Sequence, residues 1–109
     1  MAKRIAVASS DGENIDLHFA QAYQFYIYDV DEREARFIER RSGVRISFHD
    51  EQAFDQVLLM LNDCMAVFVS RIGYGAARYV FARGMRVFEA PFPVQAVLAK
   101  VVAKHILGS

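Results

Sequence analysis

Ile5-Ala6-Val7-Ala8-Ser9-Ser10-Asp11-Gly12 opens the chain's first ordered stretch. Four consecutive apolar residues give way abruptly to four turn-forming ones. A run that short, apolar on both faces, fits a strand buried inside a sheet. Residues 9–18 then form a polar loop, with Gly12 and Asn14 as its turn formers. Met65 to Val69 (MAVFV) is a second run of the same kind, and it too ends in a polar segment, Ser70-Arg71. Two such runs predict neighbouring central strands, and the remaining elements arrange themselves around them.

Between the two runs, Gln24 to Val30 (QFYIYDV) is rich in aromatic and β-branched residues and predicts a strand. Asp31-Glu32-Arg33-Glu34 is a solvated charged connector, and Ala35 to Arg41 predicts a more exposed strand beyond it. A connector this short makes the pair antiparallel. Ser42-Gly43 breaks the pattern. Asp50 is a candidate N-cap for a helix whose apolar face holds Phe54, Val57, Leu58 and Leu61, three and four apart.

After the second apolar run, Arg71-Ile72-Gly73-Tyr74-Gly75 is a glycine-bearing loop. A short helix over Ala76 to Arg83 follows, with Tyr79 and Val80 inward and Gly84 as its terminating glycine. Met85 to Phe88 is a short strand. Pro91-Phe92-Pro93 is a stiff turn, with Pro93 suited to a first helical position. Val94, Val97, Leu98, Val101 and Val102 form the apolar face of a last helix. The order βββαβαβα predicts a single α/β domain over residues 1–109, in three layers. Its mixed five-stranded sheet has order 3-2-1-4-5, with strand 2 antiparallel.

Composition narrows the function classes. Hydrophobic residues make up 54% and charged residues 24% of 109, the mix of a folded domain. Thirteen basic and thirteen acidic side chains give zero net charge. No basic stripe exists for a phosphate backbone, so nucleic acid is not an expected partner. Weak charge repulsion makes a homodimer an expectation. The single cysteine, Cys64, rules out an internal disulfide and a self-contained four-thiolate site, and fits a reducing cytoplasm. No apolar run approaches the roughly 20 residues that span a bilayer, and the opening one is too short for a signal-peptide core. A membrane location and a secretory route are therefore not expected.

Open α/β sheets bind ligands beyond the carboxyl ends of their strands, where the strand order reverses. With order 3-2-1-4-5 that point lies between the first and fourth strands. The loops leaving them carry Ser9, Ser10, Asp11, Asn14, Asp16 and His18, and Ser70, Arg71, Gly73 and Gly75. Glycines admit close backbone approach. Arg71 and the N–H groups that open the following helix favour an anion, and His18 offers a metal-ligating nitrogen. The pattern suits an anionic, metal-containing ligand.

Simpler roles stand beside these. His18 has a second reading as a residue serving only its own loop, and Arg71 as an ion-pair partner. Cys64 reads first as a small buried hydrophobe and second as a transient thiolate ligand. His49 reads first as a helix-start residue and second as a further metal ligand. His105 is expected to be solvated. Asp11 and Asp16 fit turn or capping roles better than metal-dependent hydrolysis, because no nucleophile, base and orienter accompany them. Tyr23, Phe25, Tyr26 and Tyr28 pack a sheet rather than stack bases, since no basic residue interleaves with them.

Val7 to Gly12 followed by Asp16-Leu17-His18-Phe19-Ala20 resembles the ATSDG…DxHFG opening of the dinitrogenase iron–molybdenum cofactor biosynthesis family. Leu61-Asn62-Asp63-Cys64-Met65-Ala66-Val67 and Ser70-Arg71-Ile72-Gly73 resemble its LxDCxAVLvSRIG segment, and Gly84 to Glu89 its GI.VFE stretch. The resemblance spans roughly residues 3–102 and extends to the NifX-like members and the carboxy-terminal domain of NifB. It implies a ribonuclease H-like fold without nuclease chemistry. It also implies binding of iron–molybdenum cofactor or an iron–sulfur cluster precursor, exchanged with cluster-donor and cluster-acceptor assembly proteins. His18 is the ligand this implies, with Arg71 beside it. Ala20 stands where the family has glycine, and Val44 to Phe48 replace a cysteine- and glycine-bearing stretch. One cysteine cannot build the three-cysteine motif of a radical-SAM domain. The expected function is a carrier, not an enzyme. The alternatives are a metal-free protein-interaction or regulatory domain and, last, a small metal-dependent hydrolase.

Overall fold

A computed structural model describes residues 2–43 and 51–107. Five strands, β1 (Lys3–Ala8), β2 (Gln24–Val30), β3 (Ala35–Ser42), β4 (Ala66–Val69) and β5 (Arg86–Glu89), form one sheet of order β3-β2-β1-β4-β5. β2 runs antiparallel to both β1 and β3, whereas β1, β4 and β5 are parallel to one another. The helices are α1 (Glu51–Met60), α2 (Tyr74–Ala82) and α3 (Val94–Lys104). The expected architecture and strand order are observed.

Alternation along the strands divides the core in two. Ala6, Ala8, Phe25, Ile27, Val67 and Val69 face one side, packed with Phe54, Val57 and Leu61 of the α1 segment and Ala76 and Val80 of α2. Ile5, Val7, Tyr28, Val30, Ala66 and Phe68 face the other, covered by Val94, Val97, Leu98 and Val101 of α3. β1 and β4 are buried on both faces, which is why both read as unbroken apolar runs. β3 is largely exposed, as expected of an edge. It carries a register irregularity opposite Ile27 and Tyr28 and the charges Arg36, Glu39 and Arg40, features that discourage edge-to-edge pairing.

The differences from the sequence reading sit at element ends. α2 begins at Tyr74, so Gly75 lies in its first turn and not in the preceding loop. Pro93 holds the N-cap position, one residue before the helix. A 3-10 turn over Phe19–Gln21 was not anticipated: it buries Phe19, which stacks at a tilt on Phe54 at 5.3 Å. Gly84 ends α2 as expected, at φ +88°. Its N–H donates to Phe81 O (2.9 Å) and the Met85 N–H to Val80 O (3.4 Å), the paired bonds of a Schellman motif. Asp50 and His49 lie outside the described residues.

Candidate functional site

The loop after β1 is an excursion that closes on itself, with the Leu17 N–H returning to Ala8 O at 3.4 Å. Ser9 is its hub. The fully buried Ser9 hydroxyl accepts from the Gly12 N–H (2.8 Å) and the Asp11 N–H (3.3 Å), and donates to the Asp11 carboxylate (3.2 Å). Asp11 in turn accepts from the Glu13 and Asn14 N–H groups at 2.8 and 3.0 Å, which hold its carboxyl below the usual range. Asp16 accepts from the Ser10 N–H (2.8 Å) and the Ser10 hydroxyl. Gly12 takes φ +78°, and a Cβ there would come within 2.9 Å of the Tyr26 ring, so the position demands glycine. Both aspartates are thus engaged in shaping the loop.

Beyond the excursion the chain runs alongside the end of β4. The Ser70 N–H donates to Leu17 O (3.0 Å) and the Phe19 N–H to Arg71 O (2.9 Å), pairing His18 with Arg71 in a short parallel bridge. Both side chains are exposed. The Ser70 hydroxyl oxygen between these pairings is buried and has no hydrogen-bond partner among the described residues. Gly73 is the N-cap of α2, and Gly75 sits in its first turn, so the helix opens directly from the mouth. His18, Arg71, Gly73, Ser10 and Asp11 therefore lie in the loops at one end of the sheet, with Gly75 beside them in the opening turn of α2.

Cys64 does not. It precedes β4 at the opposite end, where the Met65 N–H bonds Arg4 O. It is buried, and burial pushes its thiol up to about 12, with the neighbouring Asp63 charge acting the same way. Asp63 itself anchors a charged cluster. Arg41 reaches it at 2.6 and 2.8 Å and Arg4 at 2.9 Å, while Arg4 also grips Asp29 at 2.8 and 3.1 Å. Among the described residues, no three His, Cys, Asp or Glu side chains are grouped to hold a metal ion.

Three contributors to the mouth escaped the sequence reading. Gln24, buried at the start of β2, donates from Nε2 to Ser9 O (2.9 Å) and Ser10 O (3.0 Å). Glu89, ending β5, accepts from the Ile72 N–H at 2.9 Å and so steadies the segment carrying Arg71. The turn before α3 forms a third wall: the Ile15 N–H donates to Phe92 O (3.0 Å) and the Val94 N–H to Glu13 O (2.8 Å). A polar residue opening one strand and a carboxylate closing another were the available signals, but neither has a sequence neighbour that reveals its partner.

With this geometry in place, comparison with known proteins identifies the lineage. A family model described as dinitrogenase iron–molybdenum cofactor matches residues 1–104. The chain belongs to this family. The NifX protein of Rhodobacter capsulatus is 33% identical over 106 residues, covering 90% of this chain and 67% of NifX. The FeMo cofactor biosynthesis protein NifB of Frankia alni is 27% identical over 108 residues, 94% of this chain but 21% of NifB. The chain thus spans two thirds of one relative and about a fifth of the other. The crystal structure of PH0822 superposes with a TM-score of 0.74 at 17% identity, covering 93% of this chain and 89% of that one, a likeness of fold. Among the described residues of this family member, no helix is long and apolar enough to cross a membrane.

Proposed function

We infer that the domain is a non-catalytic carrier for a preformed anionic metal–sulfur cluster, the iron–molybdenum cofactor or an iron–sulfur precursor of it, in nitrogenase-type cofactor assembly. The observation that carries this reading is the backbone bridge that sets His18 beside Arg71 at the mouth, next to a Ser70 hydroxyl that has no hydrogen-bond partner among the described residues. An imidazole supplies one metal ligand. A guanidinium and the N–H groups opening α2 offset cluster charge. A cluster held by one protein ligand is released readily to a protein that offers more. Family membership and the name borne by the NifB relative support the same reading. The ribonuclease H-like assignment of the architecture belongs to this proposal too, and the mixed sheet of order β3-β2-β1-β4-β5 supports it.

The hydrolase alternative loses its acids, because Asp11 and Asp16 are spent on loop hydrogen bonds. The test is anaerobic titration of cargo-free protein with isolated iron–molybdenum cofactor and, separately, with an iron–sulfur precursor, followed by gel filtration and metal analysis. Stoichiometric retention by wild type, lost in His18→Ala, is the expected outcome. Failure to retain either cluster would overturn carriage and favour a metal-free interaction domain.

A further inference from the structure

α2 leaves the mouth at Gly73 and buries Ala76 and Val80, and among the described residues nothing covers its outer face. Tyr74, Arg78 and Phe81 follow one another at the four- and three-residue steps that place side chains in one stripe. Tyr74 is 78% and Phe81 73% exposed, the highest values among the large hydrophobics of the described residues. The Arg78 guanidinium lies 5.6 Å from the Tyr74 ring centroid, and both residues border a shallow open depression that continues to Ala82 and Arg83. Tyrosine and arginine are the residue types that dominate binding energy at protein interfaces.

Charge names the kind of partner. Residues 71–83, the helix and its approach, carry three arginines and no carboxylate, and Glu89 is an acidic group set against this segment, at the Ile72 N–H. Arg83 has an acidic neighbour, Asp55 of α1 at 3.4 Å, and also lies over the Tyr79 ring at 3.4 Å. Arg71 and Arg78 make no ion pair among the described residues, and both are exposed. In a chain of zero net charge, this helix and its approach form a locally cationic strip with two exposed rings.

We propose that the Tyr74–Arg78–Phe81 stripe docks an acidic protein surface bearing apolar pockets, and that docking there sets the partner over the His18–Arg71 mouth. Facing acidic side chains pair with Arg71 and Arg78 as they steer the encounter, and the two rings fill the pockets. That this partner receives the cluster rests on the carrier reading, whereas the docking itself does not.

The experiment titrates isotope-labelled, cargo-free protein with a short synthetic peptide in which glutamate and aspartate alternate with leucine and tryptophan. Amide shifts are followed at low and at physiological salt. Expected are saturable shifts confined to residues 71–83 and weakened by salt. Affinity should fall by about tenfold or more in Arg78→Glu and in Tyr74→Ala, the loss of a hot-spot residue. Arg33→Glu, in the β2–β3 connector, should leave it unchanged. Three results would overturn the proposal: shifts centred elsewhere or absent, a wild-type dimer dissolved by Arg78→Glu, or tighter binding to anionic phospholipid vesicles than to the peptide. Arg78→Glu should retain cargo normally and His18→Ala should bind the peptide normally, so failure of docking and failure of carriage remain distinguishable.

Discussion

Ser9 illustrates how much of the site depends on one hydroxyl. Its oxygen satisfies two backbone N–H groups at the start of the loop and orients the Asp11 carboxylate that accepts from two more. Ser9→Ala leaves the first two donors unpaired, and a cost of about 1–3 kcal/mol is expected in urea unfolding, together with weaker cargo retention. Cys64 makes the opposite case. Its folded thiol is raised to about 12, so the stabilisation from keeping it protonated is complete below the unfolded value near 8.5 and is lost as pH climbs toward 12. Alkylation at pH 8 should accordingly be slow in the folded protein and fast in urea. Equal rates in the two states would show the thiol to be accessible. His18 and Arg71 could be placed at one mouth from the sequence because each lies in a loop that leaves a central strand. Gln24 and Glu89 stayed hidden because their partners are 14 to 17 residues away and only the sheet brings them together.

At the level of elements, α2 separates stability from function. Gly84 needs its left-handed backbone to close the Schellman motif, and although a Cβ there meets nothing within 4 Å, Gly84→Ala should cost about 1 kcal/mol through backbone strain alone. Gly75 has no such requirement, and a Cβ there also meets nothing within 4 Å. Gly75→Ala should therefore raise the urea midpoint, by about 0.5 kcal/mol of stability. If cluster approach to the opening turn of α2 needs a bare backbone, the same variant will retain less cargo while being the more stable protein. The central strands were legible because burial on both faces leaves a continuous apolar run. The start of α2 was read two residues late because Gly73 and Gly75 both look like loop residues, and only the backbone N–H accounting shows which one is the cap. The Phe19 turn was invisible because a single 3-10 turn has no periodicity to detect.

At the scale of the molecule, the two ends of the sheet divide the work. Away from the mouth, Arg4 of β1 grips Asp29 of β2 and Asp63 before β4, and the Arg41 side chain reaches Asp63 from the far end of β3. Arg41 and Arg4 hold Asp63 well below the usual carboxylate range. A depressed carboxyl stabilises the fold fully above its unfolded value, near 4, and the stabilisation is lost as pH falls below that. Asp63→Asn should flatten this acid limb in a pH series of urea midpoints and leave the midpoint's behaviour near neutrality parallel to wild type. The mouth end carries the three loops and the approach along α2. There, on the carrier reading, His18 contacts the cluster. Pulsed electron paramagnetic resonance of cluster-loaded protein, with nitrogen isotope confined to its three histidines, measures that contact. A histidine nitrogen coupling is expected that survives His49→Gln and His105→Gln and vanishes in His18→Gln. A coupling that persists in His18→Gln, or one that disappears with His49 instead, would contradict that reading.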